Sequence, residues 1–169
     1  LLEGIQLWVN LPKAFKMTAP RYQTLVDAEI PAVELDGGVG RVRVIAGEFR
    51  GAKGPAKTFS PVHLYDLRLK AGHRTELNLP EGYNSSLFVL HGEVVMNGSQ
   101  TVQEVEIALF GQRGERVVVE AKQDATILVL SGEPIAEPIA RYGPFVMNTR
   151  DEIIQAVHDY QAGKMGHLS

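Results

Sequence analysis

From Val39 to Gly132 the chain is a succession of short apolar runs, most of them fenced by Gly, Pro, Asn or Asp. VGRVRVIAGEF is followed by PVHLYDLRL, ELNLP, SLFVLHGEVVMNG, VQEVEIALFG, ERVVVEAK and ATILVLSG. That density of strand-length runs and turn residues indicates an all-β antiparallel sandwich or barrel. Val42 and Val44 alternate with Arg41 and Arg43, and Leu67 and Leu69 alternate with Asp66, Arg68 and Lys70. Such strands have one wet face and one dry face, so a barrel with an apolar interior is expected over residues 37–133.

The flanks read differently. In LLEGIQLWVNLP, Ile5, Leu7 and Val9 alternate with Gln6, Trp8 and Asn10 up to Pro12, as in a strand ending at a turn. With Trp8 on the other face, both faces of this strand are expected to be buried, and the sheet it would join is expected outside this chain. Pro20 and Pro31 break the segment that follows, so residues 1–36 form a strand and an irregular connector. Beyond the barrel, residues 134–169 begin with GEPIAEPIARYGPFVMNT, whose Pro134, Pro138 and Pro144 predict an extended tail outside any sheet. A helix follows in NTRDEIIQAVHDYQAG: Thr149 and Glu152 make a capping box, acids fill the first turn and Gly163 ends it. Its apolar stripe of Ile153, Ile154, Val157 and Tyr160 needs a surface to dock on.

Composition narrows the function classes. Seventeen Lys and Arg against 20 Asp and Glu, with no basic cluster, argue against direct nucleic-acid binding. The absence of cysteine removes disulfides, thiolate metal sites and a Cys nucleophile, and fits a reducing, cytoplasmic setting. No long apolar run suggests a membrane span.

One stretch, GHRTELNLPEGYNSSLFVLHG, has the spacing of a metal motif without its ligands. The first metal-binding motif of a cupin barrel runs G, five residues, H-x-H, three or four residues, E, six residues, G. With Gly72 as the first glycine, the histidine positions fall on Asn78 and Pro80, the glutamate on Ser85 and the closing glycine on Gly92. Imidazoles and a carboxylate suit divalent iron, manganese, nickel or copper, whereas Asn is a weak oxygen ligand and Pro is none. A metal-free site is expected.

GIQLWVNLP, KMTAPRYQ and the later SGEPIAEPIARYGPFVMNT with its helix closely resemble segments of the pirin family, and the match runs through nearly the whole chain. The resemblance implies a cupin-type antiparallel β-barrel (a double-stranded β-helix, or jelly roll) with an extended N-terminal strand and one C-terminal α-helix. It further implies a bicupin parent whose N-terminal barrel holds iron or another divalent metal on three histidines and a glutamate. This chain resembles the second, degenerate half. On that reading the strand Ile5 to Val9 completes the N-terminal cupin, the helix from Arg150 to Ala162 docks on it, and that domain is the chain's first partner.

The remaining polar residues carry plainer readings. His63 shares a strand face with Tyr65, making the two the candidates to line a pocket. His73 and His91 sit beside the framing glycines at strand ends, while His158 and His167 read as surface residues. Glu104 with Glu106 reads as a solvated strand face and Asp151 with Glu152 as a helix start. GGVGRV precedes a strand and so lacks the helix N-terminus of a phosphate loop. No catalytic constellation stands in this sequence. The resemblance leaves two functions open for the parent. One is a metal-dependent quercetin 2,3-dioxygenase acting on a flavonol-like molecule, with this half in a supporting role. The other is a non-enzymatic regulatory partner of a transcription factor or metabolic enzyme.

Overall fold

Alternating burial along short strands builds two antiparallel sheets around one core. The computed structural model describes residues 4–165, which fall into two units, Arg21–Pro134 and Leu1–Pro20 together with Ile135–Ser169. The first contains β1 (Ala32–Glu34), β2 (Gly40–Ala46), β3 (Glu48–Phe49), β4 (Ala52–Lys53), β5 (Val62–Leu69), β6 (Arg74–Asn78), β7 (Asn84–His91), β8 (Val94–Met96), β9 (Gln100–Val102), β10 (Ile107–Leu109), β11 (Arg116–Ala121) and β12 (Ala125–Gly132). The second contains β13 (Ala140–Tyr142), β14 (Phe145–Met147) and α1 (Arg150–Gln161).

In the larger unit, one sheet has the order β1-β2-β5-β12-β7-β10 and the other β6-β11-β8-β9, with β3 and β4 forming a short ribbon. The pairings are antiparallel. Val44, Tyr65, Leu87, Ile127 and Val129 of the first sheet join Leu77, Val94, Val117 and Val119 of the second in a single buried cluster. This is the expected jelly-roll barrel. One outward position is dry, contrary to the wet face read from the sequence: Asp66 is buried, held by Arg43 at 2.9 Å and Arg68 at 3.3 Å, and Arg43 also pairs with Asp27 of the connector. The connector from Arg21 thus clusters with the barrel, and the boundary lies nearer residue 20 than residue 36.

One expectation for the flanks is corrected. The tail is not free of strands, because β13 and β14 pair antiparallel about Gly143 and Pro144. Pro138 and Pro144 fall outside the ladder, where the missing N–H of proline costs nothing. The segment Ile5 to Val9 pairs with no strand among the described residues, and Ile5, Leu7, Trp8 and Val9 are exposed, Trp8 by 70%. A strand needs a neighbour to bond its backbone and cover its faces, and none is supplied here.

Polar contacts tie the smaller unit together. The Lys13 backbone N–H donates to Glu137 Oε2 at 2.7 Å, and Lys16 Nζ donates to Asn10 Oδ1 at 2.7 Å and the Val146 carbonyl at 3.0 Å. The capping box of α1 forms as expected, with the Glu152 N–H donating to Thr149 Oγ1 at 3.2 Å and the Thr149 N–H to Glu152 Oε2 at 2.9 Å. The helix buries Ile153 and Ala156 but leaves Ile154 and Tyr160 exposed. No helix among the described residues is long and apolar enough to cross a membrane.

Candidate functional site

Three adjacent strands carry a rank of polar side chains into the barrel. The register sets His63 of β5 opposite Ser131 of β12, and Ser131 opposite Ser85 of β7. The parallel rank two residues along is Tyr65, Val129 and Leu87, all deep in the core. Because strand side chains alternate, His63, Ser131 and Ser85 share that inner face. The apolar packing therefore gives way to hydrogen-bonding groups at one end of the sheet.

These groups are largely engaged with one another. Ser85 Oγ and Ser131 Oγ lie 2.9 Å apart. The Tyr65 hydroxyl donates to the Glu48 carbonyl at 2.6 Å and lies 2.7 Å from His63 Nδ1. Since the phenol proton is committed to Glu48, the proton between the two rings belongs to His63 Nδ1, and Nε2 is left as an acceptor. Burial lowers the His63 pKa from its ordinary value, against the pull of the Glu48 backbone and charge. Burial, helped by the Glu48 charge, pushes the Tyr65 pKa up to about 12. At neutral pH the pair is thus a neutral imidazole and an intact phenol. The Tyr83 ring stands 6.0 Å from His63. Glycine at position 47 makes the room, since a Cβ there would lie 2.5 Å from His63 Nδ1. The set can bind a neutral polar group, but it holds no carboxylate and no activated nucleophile.

The frame from Gly72 to Gly92 has another origin than a metal. Both glycines have positive φ, +75° and +86°, and a Cβ on Gly92 would lie 2.4 Å from the Asp124 carbonyl. Turn geometry alone accounts for them. Asn78 is exposed, while Leu77 and Leu79 on the opposite face are buried in the core. Turning the strand over to bring Asn78 inside would expose both leucines at a cost of about 3–6 kcal/mol. Pro80 and Ser85 do line one cavity of about 190 Å³, with Leu79, Tyr83, Phe110 and Arg113. Yet Pro80 offers no donor atom, Ser85 is engaged with Ser131, and Asn78 faces away. These residues do not fit a divalent ion. Among the described residues, no three His, Asp or Glu side chains converge.

The other candidates are dispersed. His73 is exposed in a turn, His91 lies 3.6 Å from Glu104, His158 is exposed on α1, and His167 lies outside the described residues. Glu104 and Glu106 occupy a turn between β9 and β10 rather than a strand, because the Glu106 carboxylate accepts the Gln103 N–H at 2.8 Å and closes the chain on itself. GGVGRV leads into β2, as its strand pattern required. Ser131 and Tyr83 were not singled out from the sequence. A signal for Ser131 existed: it is the polar residue in the inward phase Ala125, Ile127, Val129, Ser131 of ATILVLSG.

Comparison with known proteins agrees with this fold. The model of the Pirin C-terminal cupin domain family matches residues 64–166. A Pseudomonas aeruginosa protein whose name includes the words quercetin 2,3-dioxygenase is 48% identical over 163 residues, covering 96% of this chain and 57% of that protein. Human pirin is 38% identical over 168 residues, covering 96% of this chain and 57% of its own. A crystal structure of quercetin 2,3-dioxygenase from Acinetobacter baumannii superposes with a TM-score of 0.91 at 42% identity, covering 96% of this chain and 56% of that one. The chain spans little more than half the length of these relatives.

Proposed function

The chain belongs to the pirin family, and from that premise we propose that it is the supporting C-terminal cupin half of a two-barrel protein, with the metal chemistry carried by an N-terminal cupin. The observation that carries the reading is the uncovered apolar surface of the smaller unit. Ile5, Leu7, Trp8 and Val9 are exposed in sequence on one segment, and α1 leaves Ile154 and Tyr160 uncovered. Monomeric soluble surfaces rarely leave such apolar segments bare without a partner. The occupant proposed is the family's other cupin domain, since this chain covers 57% of its relatives' length and the rest of their length is about one barrel.

The donor chemistry supports the same division. The residues at the degenerate positions Asn78, Pro80 and Ser85 do not suit a divalent ion, so iron or a similar metal is assigned to the N-terminal domain. The parent's proposed activity is cleavage of a flavonol-like substrate of the quercetin class, a name that relatives of this chain carry. A cytoplasmic location is proposed with it, on the absence of cysteine. The test is to measure metal content and quercetin turnover of the full-length protein. Stoichiometric metal with turnover, both retained in Asn78→Ala, is expected; a metal-free, inactive full-length protein overturns the proposal.

A further inference from the structure

A second site stands on the barrel unit, away from the polar rank. Arg50, Arg74 and Arg116 line one cavity of about 350 Å³, with Leu35, Val39 and Thr75 among its walls. Arg74 and Arg116 project from the exposed face of the paired strands β6 and β11, and Arg50 comes from the turn after β3. Asp36 takes Arg50 at 3.2 Å and Glu76 takes Arg116 at 3.4 Å. Arg74 has only the field of Glu120, its cross-strand neighbour, and no salt-bridge partner among the described residues.

The charge balance in this concavity is three cations against two anions, in a chain whose net charge is −3. Like charges gathered in one hollow repel unless something neutralises them. Arg50 is held there at a cost, with a φ of +47° that a non-glycine residue rarely adopts and its guanidinium 5.5 Å from the Phe49 ring centroid.

We infer that this cavity binds a small organic oxyanion: a phosphate or carboxylate group on Arg74 and Arg116, with the organic part over Leu35 and Val39. The guanidinium fork suits both anions, each of which accepts paired N–H bonds. The cavity is large for the anion alone and of the size that holds small ligands. The site lies wholly within the barrel unit and stands apart from the pairing of two cupin halves.

Chemical-shift or calorimetric titration tests it, using inorganic phosphate, phenyl phosphate and benzoate, with NaCl holding ionic strength constant. Saturable binding is expected, with phenyl phosphate at least threefold tighter than inorganic phosphate because of the apolar wall. Preference for phenyl phosphate or for benzoate tells phosphate from carboxylate. Arg74→Gln and Arg116→Gln should each weaken binding about tenfold, and Lys57→Gln, at an exposed residue of the same unit outside the cavity, should leave it unchanged. No saturable response beyond that of NaCl overturns the site, and so does equal affinity in Arg74→Gln and the parent chain.

Discussion

Replacing Tyr65 with Phe removes one oxygen and leaves the ring, so it tests the polar rank without opening a cavity. Tyr65 is 1% exposed, and its hydroxyl serves two partners, donating to Glu48 at 2.6 Å and standing 2.7 Å from His63 Nδ1. Each hydrogen bond contributes about 1 kcal/mol net, and each group stranded in a dry place costs about 1–3 kcal/mol. His63 is half-buried and Glu48 is exposed on the β3–β4 ribbon, so water can reach both once the hydroxyl is gone. The low end of the range applies, and the expected loss is about 2 kcal/mol. For a chain of this size that corresponds to a fall of roughly 4–8 °C in Tm. Urea unfolding followed by near-ultraviolet circular dichroism measures it, with an unchanged m-value showing that the unfolded state is not altered. Tyr22→Phe, at a fully exposed tyrosine, is the control and should change nothing. A loss below about 0.5 kcal/mol for Tyr65→Phe would sink the argument that this hydroxyl bridges the two elements.

Two further outcomes follow from the same site. His63 has a lowered folded-state pKa, so the unfolded chain takes up its proton first as acid is added; the stability it supports is present above about pH 6.5 and is lost as pH falls through the folded value. Unfolding midpoints should therefore drop between pH 7.5 and 5.5, less so in His63→Gln, and an NMR titration that puts the folded His63 pKa above 6.5 refutes this. Rewriting the spacing motif as Asn78→His, Pro80→His and Ser85→Glu together should give no stoichiometric nickel or zinc by elemental analysis after dialysis, because position 78 faces away from position 85; one tightly held ion per chain would show that the strand can turn over.

The barrel was legible because its strands obey a period of two that burial enforces. Val42 and Val44, Leu67 and Leu69, and Ile127 and Val129 all lie inside, as alternation demands. The helix start was legible for a similar reason, since Thr149 and Glu152 form a local device needing no tertiary partner. The errors lie where the outcome depends on something distant in the sequence. Prolines at 138 and 144 argued against a sheet, but their positions relative to the Ala140–Met147 ladder are fixed only once the hairpin closes. The apolar alternation of Ile5, Leu7 and Val9 reported a real preference for burial, and the partner that would satisfy it is not among the described residues.

The spacing motif shows most clearly how pattern and chemistry separate. A glycine frame records where the chain must turn, and Gly72 and Gly92 keep that role through positive φ, with close approach to Asp124 added at Gly92, whatever lies between them. The ligand positions record which side chains face the interior, and there the phase of the strand decides. Leu77 and Leu79 set that phase, because burying them outweighs any benefit of turning Asn78 inward. The polar side chains that do share the inner face are His63, Ser131 and Ser85, engaged in hydrogen bonds of their own. The His63 hydrogen bond runs through the Tyr65 hydroxyl, so the stability of Tyr65→Phe measures what that part of the rank contributes to the fold.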